Sequence, residues 1–514
     1  MTGGAGNGHW DVVVVGAGSA GCALVARLVD AGRRVLLLEA GADHAQPADF
    51  PAVLRDATRL GAVGPGSPAT WSYTARLTAE LDHPVVRGRG VGGSSAVNGG
   101  YFVRGTRADL DGWAADGNDL WSYDAVLPSF RRLESDRDLS GDPAHGGTGP
   151  VPVTRVRSAH PVADAFAGAC AELGFPAEPD KNADGAPGHG PLPMNVADGV
   201  RVNTAMAYLS PRRGSPDLSV RGDTVVTRVV VRSGRAVGVQ TTDGVVHADE
   251  VVLAAGAVAS PHLLMLSGIG PAAQLRAAGV EVLVDAPGVG ADVTDHPDLY
   301  LTWQPRHELP VLPDQLPLAS VLNARAAGST GSGDLEVLPW LTPFSQVFGA
   351  PGPPAREDLA LGLALMQEDS RGQLTLVSAD PSVQPRIEHR YLTEASDRRR
   401  MREVVRLGAQ LLRTSSFAPL VAARTCLPDD ALAEDRALDQ WVRAHLATAQ
   451  HLAGSARMGP DGDPGAVVDQ HLRVRGVVGL RVVDTSVMPR VPSRGPAATA
   501  VALGERAAEL MTGG

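Results

Sequence analysis

A glycine-rich turn between an apolar strand and a helix is the first feature of this chain that could do chemistry. Asp11 to Val15 is a β-branched, apolar run, a buried strand by pattern. Gly16-Ala17-Gly18-Ser19-Ala20-Gly21 follows at once, and Cys22 to Ala31 consists of good helix formers closed by Gly32. Val35 to Leu38 reads as a second buried strand, ending at Glu39 and Ala40. Gly16 permits the tight turn, Gly18 lets the backbone approach a pyrophosphate, and Gly21 lets helix and strand pack closely. The helix start offers free N–H groups and positive potential to phosphates, and Glu39 can accept from ribose hydroxyls. An ordinary parallel sheet could also carry a glycine-rich turn, but the acid placed about 20 residues on favours dinucleotide binding. The motif does not choose between NAD and FAD.

Gly88-Arg89-Gly90-Val91-Gly92-Gly93-Ser94-Ser95-Ala96-Val97-Asn98-Gly99-Gly100 is too dense in glycine for a helix or a regular strand. It reads as a loop for close backbone approach, with N–H groups and hydroxyls turned to something polar. Arg89, Val91, Val97 and Asn98 would be out of place in a flexible linker. Lys181 is the sole lysine. A GxxxxGK phosphate loop is therefore excluded, and Schiff-base chemistry is confined to one Gly- and Asp-rich loop. Cys22, Cys170 and Cys426 are far apart with no CxxC, which argues against a disulfide scaffold, a zinc knuckle or an iron–sulfur site. They read as buried free thiols of a reducing cytoplasm, and no metal is expected.

Five hundred and fourteen residues, 44% of them hydrophobic, suffice for two domains with proper cores. The 60 glycines and 39 prolines are spread without period and imply many tight turns. A net charge of −11 without a basic block makes nucleic acid an unsuitable partner. Met1 to Trp10 lacks the basic start and apolar stretch of a signal peptide. No apolar run reaches the roughly 18 residues that span a bilayer, while peripheral membrane contact stays open.

The block from Gly88 to Gly100 resembles the first signature of the glucose–methanol–choline (GMC) oxidoreductases. Gly256-Ala257-Val258-Ala259-Ser260-Pro261-His262-Leu263-Leu264-Met265-Leu266-Ser267-Gly268-Ile269-Gly270 resembles the second. Thr448-Ala449-Gln450-His451-Leu452-Ala453-Gly454-Ser455-Ala456-Arg457-Met458-Gly459 is similar to the family's active-site histidine motif, and Val467-Val468-Asp469 and Leu480 to Pro489 to its C-terminal region. Smaller matches include Asp111-Gly112-Trp113, Trp121-Ser122-Tyr123 and His145-Gly146-Gly147.

The resemblance implies an α/β fold: a Rossmann-like FAD domain and a discontinuous substrate domain on an antiparallel sheet with helices. Residues 1–290 and 445–514 would form the first, and residues 291–444 the second, with a Gly-, Asp- and Pro-rich crossing near Asp285 to Pro297. It also implies FAD, with Gly16, Gly18, Ser19 and Ala20 at the pyrophosphate and Glu39 and Ala40 at the adenosine ribose. Arg89, Gly92, Asn98 and Gly100 would line the flavin side, Val226 would meet adenine, and Ala255 would lie near the adenosine half. Asp484 would bond toward the pyrophosphate and ribityl region, and Ala497 would pass close to the isoalloxazine. Val97 stands where some members attach FAD through histidine, so the flavin is expected to be non-covalent.

His451 matches the family's catalytic histidine, and an imidazole suits removal of a hydroxyl proton while the flavin takes the hydride. The second His or Asn usual in the family falls, counting back from Gly504-Glu505, on Ala497, and one residue either way gives Pro496 or Ala498. Ser493, Arg494 and Thr499 are the nearest polar residues, each more readily structural, and His471 reads as a surface residue. The shortened active-site pair resembles the GMC member associated with the mycofactocin redox carrier, which would pass electrons onward. The acceptor itself (oxygen, a quinone or another carrier) is left open. A hydroxynitrile-lyase-like enzyme and a non-catalytic flavoprotein are the rival readings. His307 to Pro354, rich in Pro and Gly, reads as a loop-rich segment over the active site or a surface excursion. Thr499 to Met511 reads as a helix with Glu505, Arg506 and Glu509 on its outer face.

Overall fold

The computed structural model describes residues 9–60, 64, 66–343, 346–347 and 359–513. Fully buried β-branched and leucine runs make the central strands of a first sheet, as parallel strands covered on both faces must be. Its order begins Leu218–Arg221, Val35–Leu38, Trp10–Val15, Gly244–Leu253, all parallel. Gly244–Leu253 then serves two neighbours. Its first half pairs antiparallel with Arg235–Thr241, which pairs in turn with Val226–Arg232. Its second half pairs parallel with Leu480–Val482, far along the chain.

The turns after Trp10–Val15 and Val35–Leu38 open at the same end of this sheet, which is how Gly16 comes to lie beside Glu39. Gly16 has φ +104°, and a Cβ there would lie 2.4 Å from the Ala254 carbonyl oxygen. A Cβ on Gly21 would lie 2.1 Å from the Gly16 carbonyl oxygen. Neither position tolerates a side chain.

Helix Ser19–Asp30 packs on the last helix, Ala497–Thr512. The closeness depends on Gly504, where a Cβ would lie 2.2 Å from the Ala20 carbonyl oxygen. Glu505, expected on the outer face, is fully buried at this contact. It accepts from Arg27 Nε (2.9 Å) and Nη2 (2.9 Å), Arg132 Nε (2.6 Å) and Tyr208 Oη (2.7 Å). Helical period alone put it outside; the cations waiting on the neighbouring elements let it be buried. Glu505→Leu removes the shared acceptor of all three groups. The expected cost is about 3 kcal/mol, readable as a shift of the urea midpoint without a change in slope.

A second sheet is antiparallel, in the order Val421–Arg424, Pro297–Pro305, Leu359–Leu365, Leu335–Pro339, Ser320–Ala324, His189–Pro191, with Ala447–Thr448 paired to the start of Pro297–Pro305. Its two faces differ because side chains alternate. Leu299, Leu301, Trp303, Leu361, Leu363 and Val337 share one face and form a core with helices Pro161–Glu172, Ala395–Leu411 and Asp435–His445. The opposite face carries Asp298, Tyr300, Glu336 and Asn323, with small residues Gly362 and Ala364 between them. Around Val321, Trp340 and Ala360 it packs against Tyr101 and Met194 of the first domain.

Two expectations change. His307 to Pro354 contains two strands of this sheet, Ser320–Ala324 and Leu335–Pro339, whose alternation is hidden by flanking Pro, Gly and Asp; residues 344–345 and 348–354 lie outside the described residues. The partition at 290 is crossed as well. Pro161–Glu172 belongs to the second core, His189–Pro191 pairs into the second sheet, and Thr70–Arg76 pairs with Arg386–Glu388. All three cysteines are free, with Cys426 only half-buried. Among the described residues no helix is long and apolar enough to cross a membrane.

Candidate active site

The site is built along one line of loops, starting at Glu39. This buried carboxylate accepts from Ala17 N (2.9 Å), Gly41 N (3.0 Å) and Gly90 N (2.9 Å). It therefore ties the GxGxxG turn, its own turn and the second glycine block into one structure. Two of the three bonds fall on Oε1, so Oε2 keeps acceptor capacity. Gly92 N donates to the Ala17 carbonyl at 2.8 Å, and a Cβ on Gly93 would lie 2.6 Å from Gly18 Cα. The second block thus lies directly on the first. Arg89 sits at the Glu39 end, its guanidinium 4.7 Å above the Trp71 ring and its Nε 3.4 Å from the Ala40 carbonyl. At the other end Asn98 Oδ1 accepts from Gly100 N at 3.0 Å.

Helix Ser19–Asp30 begins at Gly18 with no side-chain cap and no acid in its first turn. Its leading N–H groups are the unpaired donors that a phosphate would take. A Cβ on Gly18 would have only the Ala254 oxygen near it, at 3.9 Å, and one on Gly99 or Gly256 nothing within 4 Å. These are open positions along a lined cradle, unlike Gly16 and Gly21. Ala255 N donates to Ser260 Oγ at 3.1 Å. Asp484 accepts from Gly256 N (2.9 Å), Ser260 Oγ (2.6 Å) and Ser486 N (2.9 Å), so its carboxylate braces the start of helix Gly256–Leu266. Val226 begins its strand next to Thr224, whose N–H donates to the Glu39 carbonyl at 2.8 Å.

His451 follows Gln450, which is held in the left-handed region at φ +63°. That strain is fixed by neighbours: Gln450 N donates to Thr448 Oγ1 (2.9 Å) and Gln450 Oε1 accepts from Val86 N (3.1 Å). Asp295, buried, accepts from His451 N (2.6 Å), His296 N (2.8 Å) and Thr448 Oγ1 (2.7 Å). His451 Nδ1 then lies 2.8 Å from His296 Nδ1, with the rings nearly perpendicular at 82°. The Cε1–Nε2 edge of His451 faces Gly495, where a Cβ would be 3.6 Å away. Burial, then His296, pushes the His451 imidazole down to about 3, with Arg87 adding to the shift and Asp295 opposing it.

Gly495 therefore lies against His451. Ala497, reached by counting back from Gly504-Glu505, is the first residue of helix Ala497–Thr512. Gly495 brings no side chain to the ring, and the family's usual His or Asn is missing from this segment. Ser493 Oγ bonds Asp109 (2.9 Å), Arg494 bonds the Ser332 carbonyl (2.9 Å) and Thr499 accepts from Gly105 N (3.0 Å). His471 is exposed. Sequence reasoning missed Asp295 and His296. Their signal was an ionisable pair directly before a buried strand, inside a stretch legible only as a domain crossing.

Two other charged clusters are already satisfied. Lys181 is buried and bonds Glu178, the Gly188 carbonyl (2.6 Å) and Asn323 (3.1 Å), leaving no free amine. Glu134, Asp136 and His145 converge as metal ligands could, but Arg104 and Arg155 occupy the carboxylates.

A dinucleotide cradle ending at a half-buried imidazole, beside an antiparallel sheet, fits a flavin-dependent oxidoreductase. The GMC oxidoreductase profiles match residues 10–298 and 368–504, and the chain belongs to that family. It is 41% identical to an "Uncharacterized GMC-type oxidoreductase in thcA 5'region" of Rhodococcus erythropolis, over 98% of both chains. It is 33% identical to the oxygen-dependent choline dehydrogenase of Vibrio vulnificus, over 98% of this chain and 94% of that one. Among solved structures it superposes on pyridoxine 4-oxidase from Mesorbium loti with a TM-score of 0.87 and 30% identity, over 98% and 99% of the two chains. The chain is thus a GMC-type, FAD-dependent oxidoreductase acting on CH–OH and similar groups. Val97, buried and without a nucleophile, is consistent with non-covalent FAD.

Proposed function

We propose that the protein oxidises a small-molecule alcohol to the corresponding carbonyl compound, with His451 taking the hydroxyl proton. The observation that carries this reading is the imidazole of His451, partly accessible among buried neighbours and turned edge-on to the bare backbone at Gly495. FAD, when bound, supplies the acceptor for the hydride. Gly16, Gly18, Ser19 and Ala20 would hold the pyrophosphate, and Glu39 the adenosine ribose through its remaining acceptor capacity. Gly495, lacking a side chain, leaves room for the substrate carbon beside the ring. Asp298 and Tyr300 continue the strand face that begins with His296, and so line the same side of the site.

Choline and pyridoxine, named for the relatives, head the panel to try, with primary alcohols, sugars and polyols. The test is the visible spectrum of the purified protein without oxygen. Bleaching of the flavin by one class identifies the substrate class. Bound flavin that no alcohol bleaches overturns the reading in favour of a lyase or a non-catalytic flavoprotein.

The pH dependence follows from the imidazole. Only neutral His451 can accept a proton. An ordinary imidazole is roughly 97% protonated at pH 5, whereas one depressed to about 3 is still neutral there. Flavin reduction at pH 5 is therefore expected to stay within about threefold of its rate at pH 7, because the competent form persists. A stopped-flow series that instead shows an acid limb centred near 6.5 contradicts this account of the pocket.

A further inference from the structure

We propose that His296 is a positioning residue for the proton acceptor, holding His451 in the tautomer that leaves Nε2 free. The inference rests on the reading of His451 as the base. It starts from the contact of the two Nδ1 atoms at 2.8 Å. Two lone pairs at that distance repel and two N–H groups collide, so one proton must lie between them. If His296 donated it, neutral His451 would carry its own proton on Nε2 and could accept none. If His451 donates it, Nε2 presents a lone pair toward Gly495.

The surroundings of His296 choose between these. Its ring is fully buried and its Nε2 makes no hydrogen bond, so no donor holds a lone pair there; the backbone groups bearing on the ring are the carbonyls of Pro492 and Met366. Carbonyls only accept. They favour the proton of His296 on Nε2, which leaves its Nδ1 as the acceptor for His451 Nδ1–H. Asp295 fixes the roots of both rings through the two backbone N–H groups, so the distance between them is set by one carboxylate. The charged and titratable groups facing the pair are Asp295, Asp109, Arg87 and His389, with Glu368 accepting from Asp295 N at 2.9 Å.

The chemistry closes. The substrate O–H bond breaks and Nε2–H forms on His451, while the C–H electron pair would leave as hydride to the acceptor that bound FAD supplies, forming C=O. The resulting imidazolium keeps its Nδ1–H on neutral His296, with the Asp295 carboxylate as counter-charge. His296 thus supplies, from the residue just before strand Pro297–Pro305, an imidazole that the turn at Gly495 does not provide.

The test compares His296→Leu and His296→Asn with His451→Ala as FAD-loaded proteins, reading anaerobic flavin reduction against substrate concentration. Leucine has no acceptor; asparagine places its Oδ1 near the position of the imidazole Nδ1. His296→Leu is expected to reduce its flavin about 10²-fold slower, the scale of losing an orienting hydrogen bond, with the half-saturating substrate concentration within about threefold. His296→Asn is expected to recover to within about fivefold of the parent. Wild-type rates in His296→Leu, or an asparagine variant as slow as the leucine one, overturn the proposal. If the leucine variant does not retain FAD, the asparagine variant decides alone: fast supports the proposal and slow with FAD bound ends it. If His451→Ala reduces normally, the base reading itself fails, which is a different result from a normal His296→Leu beside a slow His451→Ala.

Discussion

Replacing His451 by alanine should leave FAD bound at full occupancy and slow its reduction by substrate about 10²–10⁴-fold, the usual cost of losing a positioned base. Cofactor retention is expected because the cradle lies elsewhere. The uncapped start of helix Ser19–Asp30 and the Glu39 clasp would hold the adenosine and pyrophosphate end, and neither bonds His451. The fold should tolerate the change too. His451 contributes its backbone N–H to Asp295, and alanine keeps that bond. The loss is therefore one of rate. Single-turnover mixing without oxygen isolates it from the later reaction with the electron acceptor. Undiminished reduction in this variant would remove His451 from the chemistry.

Gly18→Val should yield a folded protein that purifies without its flavin. The three glycines of the fingerprint differ in why they are glycine. Gly16 and Gly21 are required by the protein itself, since side chains there would strike backbone oxygens at 2.4 Å and 2.1 Å. Gly18 has extended backbone, φ −83° and ψ −165°, and the nearest atom to an added Cβ is 3.9 Å away. Valine is at ease in that conformation. Its side chain would project into the space a pyrophosphate needs and shield the leading N–H groups of the helix. Absorbance near 450 nm should be absent, or recovered only at a large excess of FAD, while the far-ultraviolet circular dichroism matches the parent. Stoichiometric flavin in Gly18→Val would move the pyrophosphate away from this turn. Gly21→Val is the control, expected to fail at folding rather than at binding.

What the sequence determined by itself was whatever short-range geometry enforces. The strand–GxGxxG–helix–strand–acid unit is legible because its demands are local: a positive φ at Gly16, a contact from Gly21 back to Gly16, and buried runs on both sides. Glu39 was identifiable as the acid of that unit, and His451 through a motif around it. The tertiary structure decided what those residues meet. The three donors on Glu39 come from loops around Ala17, Gly41 and Gly90, and no periodicity encodes their convergence. Glu505 has the helical phase of a surface residue, yet it is buried because Arg27, Arg132 and Tyr208 arrive from other elements to satisfy it. Ser320–Ala324 and Leu335–Pro339 are central strands because sheet pairing outweighs the turn-forming residues around them. Gly495, in the turn before helix Ala497–Thr512, faces His451, a proximity that no motif encodes. His296 stands 155 residues before His451, and only the pairing of Pro297–Pro305 with Ala447–Thr448, pinned by Asp295, brings the two rings within hydrogen-bond reach. Chemistry that lives in one segment can be read from that segment. Chemistry that needs a second imidazole from a different sheet strand exists only once long-range pairing has fixed the distance between them.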